Sequence, residues 1–118
     1  MDQKFFTDGT NILTLISGEG NDIGDIKEIN AGTTDASTEK HVPVYETADG
    51  ICTVTVGSVT HPMTPEHLIT WIVVKTNKGT YIKYLTSDDA PSAKFLLEDG
   101  ETVESVYEYC NLHKLWKA

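Results

Sequence analysis

Within Ile51 to Val59 polar and apolar residues alternate, Thr53 and Thr55 being interleaved with Val54 and Val56. A period of two marks a strand with one buried face. Ile69 to Thr76 is strongly apolar and reads as a second, more deeply buried strand. Asn77-Lys78-Gly79 turns the chain tightly into Thr80 to Leu85, so these two strands predict a hairpin. Further strands are expected at Ser92 to Leu97 and, as the last of the chain, at Ser105 to Tyr109, with a turn at Glu98-Asp99-Gly100 between them. Upstream, Val42-Pro43-Val44-Tyr45-Glu46 is extended, because the residue before a proline avoids the α region. Ala48-Asp49-Gly50 is another turn. Thr64-Pro65-Glu66 has the form of a helix start, with threonine as cap and proline at the first position, and predicts one helical turn. Short strands separated by turns, with no convincing amphipathic helix, predict an all-β protein built as an antiparallel sandwich.

Residues 1–37 differ in texture. They hold Gly9, Gly18, Gly20, Gly24 and Gly32 amid many Asp, Asn and Thr, and only Asn11 to Ile16 reads clearly as a strand. Gly18-Glu19-Gly20-Asn21-Asp22 is a turn. This stretch is expected to be a small, weakly cored N-terminal arm, with the sandwich domain occupying residues 38–118.

Composition narrows the partners. The chain has 118 residues, enough for one domain with a core, and its 18 acidic residues outnumber 9 basic ones for a net charge of -9. Nucleic acid and anionic membranes both require clustered Lys and Arg, so neither is expected to bind. The first 20 residues lack a basic start, and Ile12-Leu13-Thr14-Leu15-Ile16 is too short for a secretory apolar region. A cytoplasmic location is expected, and in a reducing compartment Cys52 and Cys110 read as thiols rather than as a disulfide. Cys52 lies in register with Val54 and Val56 and is expected to be an inert buried thiol.

The chemistry concentrates in three short motifs. Every histidine of the chain falls in Glu39-Lys40-His41-Val42-Pro43, in His61-Pro62-Met63-Thr64-Pro65-Glu66-His67, or in Cys110-Asn111-Leu112-His113. His41, at the opening of a strand, the pair flanking the proline-rich turn, and the pair ending the last strand would all lie at strand ends or in loops, where ligand sites are commonly built. A lone histidine is more often a surface or satisfied core residue, and a lone cysteine a small buried apolar one. Taken together, His41, His61, His67, Cys110 and His113 predict a metal centre with imidazole and thiolate donors. Such a set suits zinc, copper or iron. Five donors are one too many for a closed zinc tetrahedron, and around an octahedral ion they leave one position open. Neutral imidazoles and one thiolate leave a divalent ion with a single net positive charge, a local spot able to draw a small anion into an acidic protein.

The chain resembles the iron domain of the superoxide reductases, the desulfoferrodoxin and neelaredoxin family. The resemblance rests on Thr34-Asp35-Ala36, Glu39-Lys40-His41-Val42-Pro43-Val44, Val56-Gly57-Ser58-Val59, His61-Pro62-Met63, Glu66-His67 followed by Ile69 and Trp71, Glu108-Tyr109-Cys110-Asn111-Leu112-His113, and Leu115-Trp116. It runs from Thr34 to the end of the chain, with ligand order and spacing in agreement throughout. It implies an immunoglobulin-like β-sandwich and one mononuclear non-haem iron, with His41, His61, His67 and His113 as equatorial ligands and Cys110 as the axial one. It implies that superoxide binds opposite Cys110 and is reduced by one electron to hydrogen peroxide. Lys40 would attract the anion and orient solvent, and Glu39 would cap the open position of the oxidised metal. A donor such as rubredoxin would restore the ferrous state, and a homodimer or homotetramer would be the family's habit.

Two departures from the family pattern matter. Many members carry a second iron in an N-terminal domain through four cysteines, but here no cysteine precedes Cys52, so the arm is expected to be a remnant without metal. Lys114 follows His113 where glycine is common; if that position needs a positive φ, lysine costs about 1 kcal/mol there. The alternatives to a reductase are an iron electron carrier with the same centre and a sandwich with a purely structural metal.

Overall fold

The computed structural model describes residues 2–118 as an almost purely antiparallel β protein. The strands are β1 (Phe5–Thr7), β2 (Ile12–Thr14), β3 (Lys27–Ile29), β4 (Pro43–Ala48), β5 (Ile51–Val56), β6 (Ile69–Thr76), β7 (Thr80–Tyr84), β8 (Ser92–Leu96), β9 (Val103–Cys110) and β10 (Lys114–Lys117), with one helical turn, α1 (Thr38–His41), before β4. They form three sheets, ordered β2-β1-β3, β10-β9-β6-β7 and β4-β5-β8. The second and third face each other as the immunoglobulin-like sandwich, and the first is the arm.

The alternation read from β5 places Cys52, Val54 and Val56 in the core, where they meet Ile72 and Val74 of β6, Phe95 of β8, and Val106 and Cys110 of β9. The intervening residues of the same strands point the other way. Val73 and Tyr107 join Phe5 and Leu115 in a second cluster on the outer face of the four-stranded sheet. That sheet is therefore covered on both sides, which explains why β6 is continuously apolar rather than alternating. Phe5 does the covering: its ring stacks 5.3 Å from Trp71 and meets Tyr107 edge-on at 4.9 Å. At 3% exposure it contributes roughly 2–3 kcal/mol of apolar burial, so the arm is pinned by a real core contact.

Several elements differ from expectation. The arm holds three strands rather than one. Phe5 and Phe6 do not announce a strand by themselves; β1 becomes the central strand only by pairing with β2 and β3 on its two sides. Thr64-Pro65-Glu66 is a bend, not a helical turn. Thr64 and His67 exchange backbone hydrogen bonds at 2.9 and 3.2 Å, and Thr64 Oγ1 accepts the His67 N–H as well, which closes the loop just before β6. The helical turn occurs instead at α1, so His41 ends a helix rather than opening a strand. Val42 N–H donates to Thr38 O at 2.9 Å to close that turn, and Pro43 then holds Val42 extended. β9 runs on to Cys110 and is followed by β10, which the sequence reading did not contain. Tyr84 is 77% exposed on the edge strand β7. Cys52 and Cys110 are both free and fully buried. Among the described residues no helix is long and apolar enough to cross a membrane.

Candidate metal centre

Four elements deliver donors to one end of the sandwich. α1 brings His41, the loop after β5 brings His61, the bend before β6 brings His67, and the β9–β10 turn brings Cys110 and His113. Donor atoms of His41, His61, His67 and Cys110 all lie within 4.8 Å of one another. His113 joins them, its Nδ1 3.0 Å from His41 Nε2 and 3.9 Å from Cys110 Sγ. The four imidazoles form a square. Neighbouring ring centroids lie 4.8 Å apart for His41 and His61, 4.6 Å for His61 and His67, 5.2 Å for His67 and His113, and 4.8 Å for His113 and His41. His41 and His67 face each other across the square at 6.4 Å. Cys110 is sealed in the core, whereas His67 and His113 are only partly buried, so the sulfur marks the protein side of the site.

Backbone carbonyls aim the rings. His41 Nδ1 lies 2.7 Å from Ser37 O and His61 Nδ1 lies 2.7 Å from Pro62 O. A carbonyl can only accept, so each Nδ1 carries the proton and each Nε2 presents a lone pair to the centre. The Nε2 atoms of His61 and His67 are buried without any partner. Burial holds the imidazole of His61 down to a pKa of about 4 and lowers those of His41 and His67, with neighbouring rings and Lys40 adding repulsion. Burial also raises the Cys110 thiol. His41, His61 and His67 are thus poised as neutral imidazoles, the form that ligates.

The arrangement fits a cation by distance as well. Two donors at right angles about an ion with bonds of about 2.1 Å stand roughly 3.0 Å apart, and two on opposite sides stand roughly 4.2 Å apart. The 3.0 Å approach of two ring nitrogens and the 4.8 Å spread of the group are of that size. Orphaned buried nitrogens are costly unless something binds them. A square of nitrogens with a sulfur to one side is unlike the closed tetrahedron of structural zinc.

Residues outside the three histidine motifs complete the surroundings. Trp116, 4% exposed, lays its ring 5.0 Å from that of His41, and its Nε1–H donates to His113 O at 2.9 Å. Gly57 lies so close under α1 that a Cβ there would meet Glu39 O at 2.6 Å. The Val59 N–H donates to the same Glu39 O at 2.9 Å. Glu39 and Lys40 are exposed on α1 beside buried His41. Ser37 contributes through its carbonyl, which no side-chain motif reveals.

Comparison with known proteins gives this geometry its lineage. The profile described as Desulfoferrodoxin matches residues 33–118. The chain belongs to the desulfoferrodoxin family. It is 45% identical over 114 residues to a desulfoferrodoxin of Clostridium acetobutylicum, covering 93% of this chain and 88% of that one. It is 44% identical over 113 residues to a desulfoferrodoxin of Nitratidesulfovibrio vulgaris, covering 92% and 87%. Among solved structures, the superoxide reductase from Treponema pallidum superposes with a TM-score of 0.86 at 37% identity, covering 100% of this chain and 99% of that chain. That likeness therefore includes the arm. A superoxide reductase from Giardia intestinalis, described as a one-iron form, superposes with a TM-score of 0.58 at 30% identity, over 68% of this chain and 95% of its own.

Proposed function

We propose that this chain is a one-iron superoxide reductase. The observation that carries the reading is the square of four imidazoles with a core-sealed thiol to one side and Lys40 exposed beside it. His41, His61, His67, His113 and Cys110 are the residues that would hold the metal. Iron held by them would supply the one electron that converts superoxide, with two protons, to hydrogen peroxide.

The chain's own residues prepare that step. Ser37 O and Pro62 O keep His41 and His61 in the tautomer that ligates through Nε2. Core packing around Cys110 excludes water from the sulfur. The opposite side of the square is left for a small anion. Lys40 is a mobile point charge able to raise the local concentration of superoxide and to orient the solvent that donates protons. Glu39, next to it on α1, is the carboxylate assigned in this reading to the open side when no substrate is there. A one-electron donor such as rubredoxin would return the centre to its reduced state.

The test is a visible spectrum joined to metal analysis and superoxide consumption. One iron per chain is expected, with a thiolate-to-iron charge-transfer band that Cys110→Ser removes and steady superoxide loss in the presence of a reductant. A colourless protein fully loaded with zinc would sink the proposal. An iron protein with the band but without superoxide loss would be an electron carrier.

A further inference from the structure

Asn111 joins two ligand-bearing loops that lie 43 residues apart in the chain. Its backbone N–H donates to Leu68 O at 3.2 Å. Its side-chain Oδ1 accepts the Leu68 N–H at 3.0 Å, and its Nδ2 donates to Glu66 O at 2.9 Å. The two side-chain bonds thus grip the chain on either side of His67, while Asn111 itself is bonded covalently to Cys110. No other residue type does this as well at that size: the short amide offers one acceptor and two donors in a fixed plane. The bend holding His67 is otherwise closed only upon itself, by the Thr64–His67 bonds, and Thr64, Pro65 and Glu66 are exposed. His67 is also the ring with no carbonyl partner of its own and with an orphaned Nε2.

We infer that Asn111 is a positioning residue that sets His67 against Cys110, the one fixing the other's place in the donor square. The inference rests on the metal centre proposed above, but not on which metal it takes or on the reaction. His41 and His61 are aimed by carbonyls within their own loops. His67 is aimed from across the site, through Asn111, so the square closes only when the two loops are stapled.

The test uses the full-length chain stripped of metal, with cobalt(II) as the probe. Asn111→Ala is expected to weaken cobalt binding about 10- to 100-fold, the usual effect of losing a partner that orients a ligand. The same substitution in a His67→Ala background is expected to cost nothing further, whereas in a His61→Ala background it keeps its full cost. Equal losses in both backgrounds would mean general destabilisation and would overturn the inference. Amide exchange on the metal-free chain supplies a second readout. The Leu68 amide is expected to be protected and to lose that protection in Asn111→Ala, while amides of β5 stay unchanged. An unprotected Leu68 amide in the parent chain would likewise overturn the staple. Absence of cobalt binding by the parent chain would instead defeat the metal centre itself, so the two failures are distinguishable.

Discussion

Cys52 and Cys110 show how much a residue's role depends on its neighbours. Both are free, fully buried thiols whose titration burial has pushed up. Cys52 is shifted by burial alone and sits among core side chains on β5. Cys110 has a ring nitrogen 3.9 Å from its sulfur and stands at the end of β9, so of the two only it is placed to lose its proton on binding a metal. Lys40 illustrates the same point on the surface. By itself it would be one half of a solvated pair with Glu39, and its location beside His41 is what assigns it to capture in the proposed reaction. Lys40→Ala is expected to slow superoxide capture about tenfold or more and to flatten its dependence on ionic strength. Stopped-flow kinetics across a salt series reads both; an unchanged rate at low salt would remove Lys40 from the mechanism.

At the scale of elements, the site depends on short pieces held by backbone contacts. α1 is a single turn, too short to be stable alone, and it is propped from below by the loop that follows β5. A Cβ at Gly57 would meet backbone at 2.6 Å from Glu39 O and at 3.0 Å from both Lys40 C and Val42 O. Backbone cannot yield as a flexible side chain can, so Gly57→Ala is expected to shift α1. The expected result is a several-fold slower capture of superoxide with metal content still close to one per chain. Loss of metal and capture in equal measure would mean that the loop supports the whole square rather than α1. The β9–β10 turn carries a different strain. Lys114 has φ 70, the left-handed conformation that glycine adopts freely. Lys114→Gly is expected to raise the stability of the metal-free chain by up to about 1 kcal/mol, part of the relief being offset by the greater freedom of glycine in the unfolded chain. Urea denaturation measures it, and a lower midpoint would contradict the strain. These pieces were poorly legible beforehand. One turn of helix, a four-residue strand and a bend each contain too few positions to show a period, and what stabilises them lies elsewhere in the chain. β5, β6, β7 and β8 were legible because five to eight residues of alternation or continuous apolarity do show one.

Over the whole molecule, a buried carboxyl governs the response to pH. Glu108 of β9 is fully buried, both its oxygens lack partners, and burial pushes its pKa up to about 9. Its folded value lies above its unfolded one, so the folded chain keeps a proton that the unfolded chain releases between about pH 4.5 and 9. Stability from this group is present at low pH and is lost as pH rises through that window. His61 acts in the opposite sense. Its pKa is lowered from 6.5 to about 4, so the unfolded chain takes up a proton first and stability falls as pH drops through that range. Above pH 6.5 the histidine effect is complete and Glu108 is left, with a slope on the order of 1.4 kcal/mol per pH unit at its steepest. The metal-free chain is expected to lose stability from pH 6.5 to 9, and Glu108→Gln to abolish most of that loss. Denaturation midpoints at several pH values decide it, and parallel curves for the two proteins would show that Glu108 is not the cause. The arm enters at this scale too. Phe5 and Gln3 tie it to Tyr107 on the outer face of the sandwich, a role invisible in a stretch that reads as glycine-rich and weakly cored.

The sequence by itself determined the all-β class, the main strands and the three motifs in which every histidine lies, because periodicity and residue chemistry are local properties. Its departure from the family's glycine also flagged Lys114 as strained should its φ be positive, which the structure shows it to be. The family resemblance implied a square of imidazoles beside one sulfur, but tertiary structure alone decided that the sulfur lies on the core side, since that depends on which loops share one end of the sandwich. It alone decided that carbonyls of Ser37 and Pro62 aim two rings, that Asn111 grips both sides of His67, and that Phe5 covers the outer sheet. Those are contacts between residues far apart in the chain or through its backbone, and backbone groups are the same at every position until the fold places them.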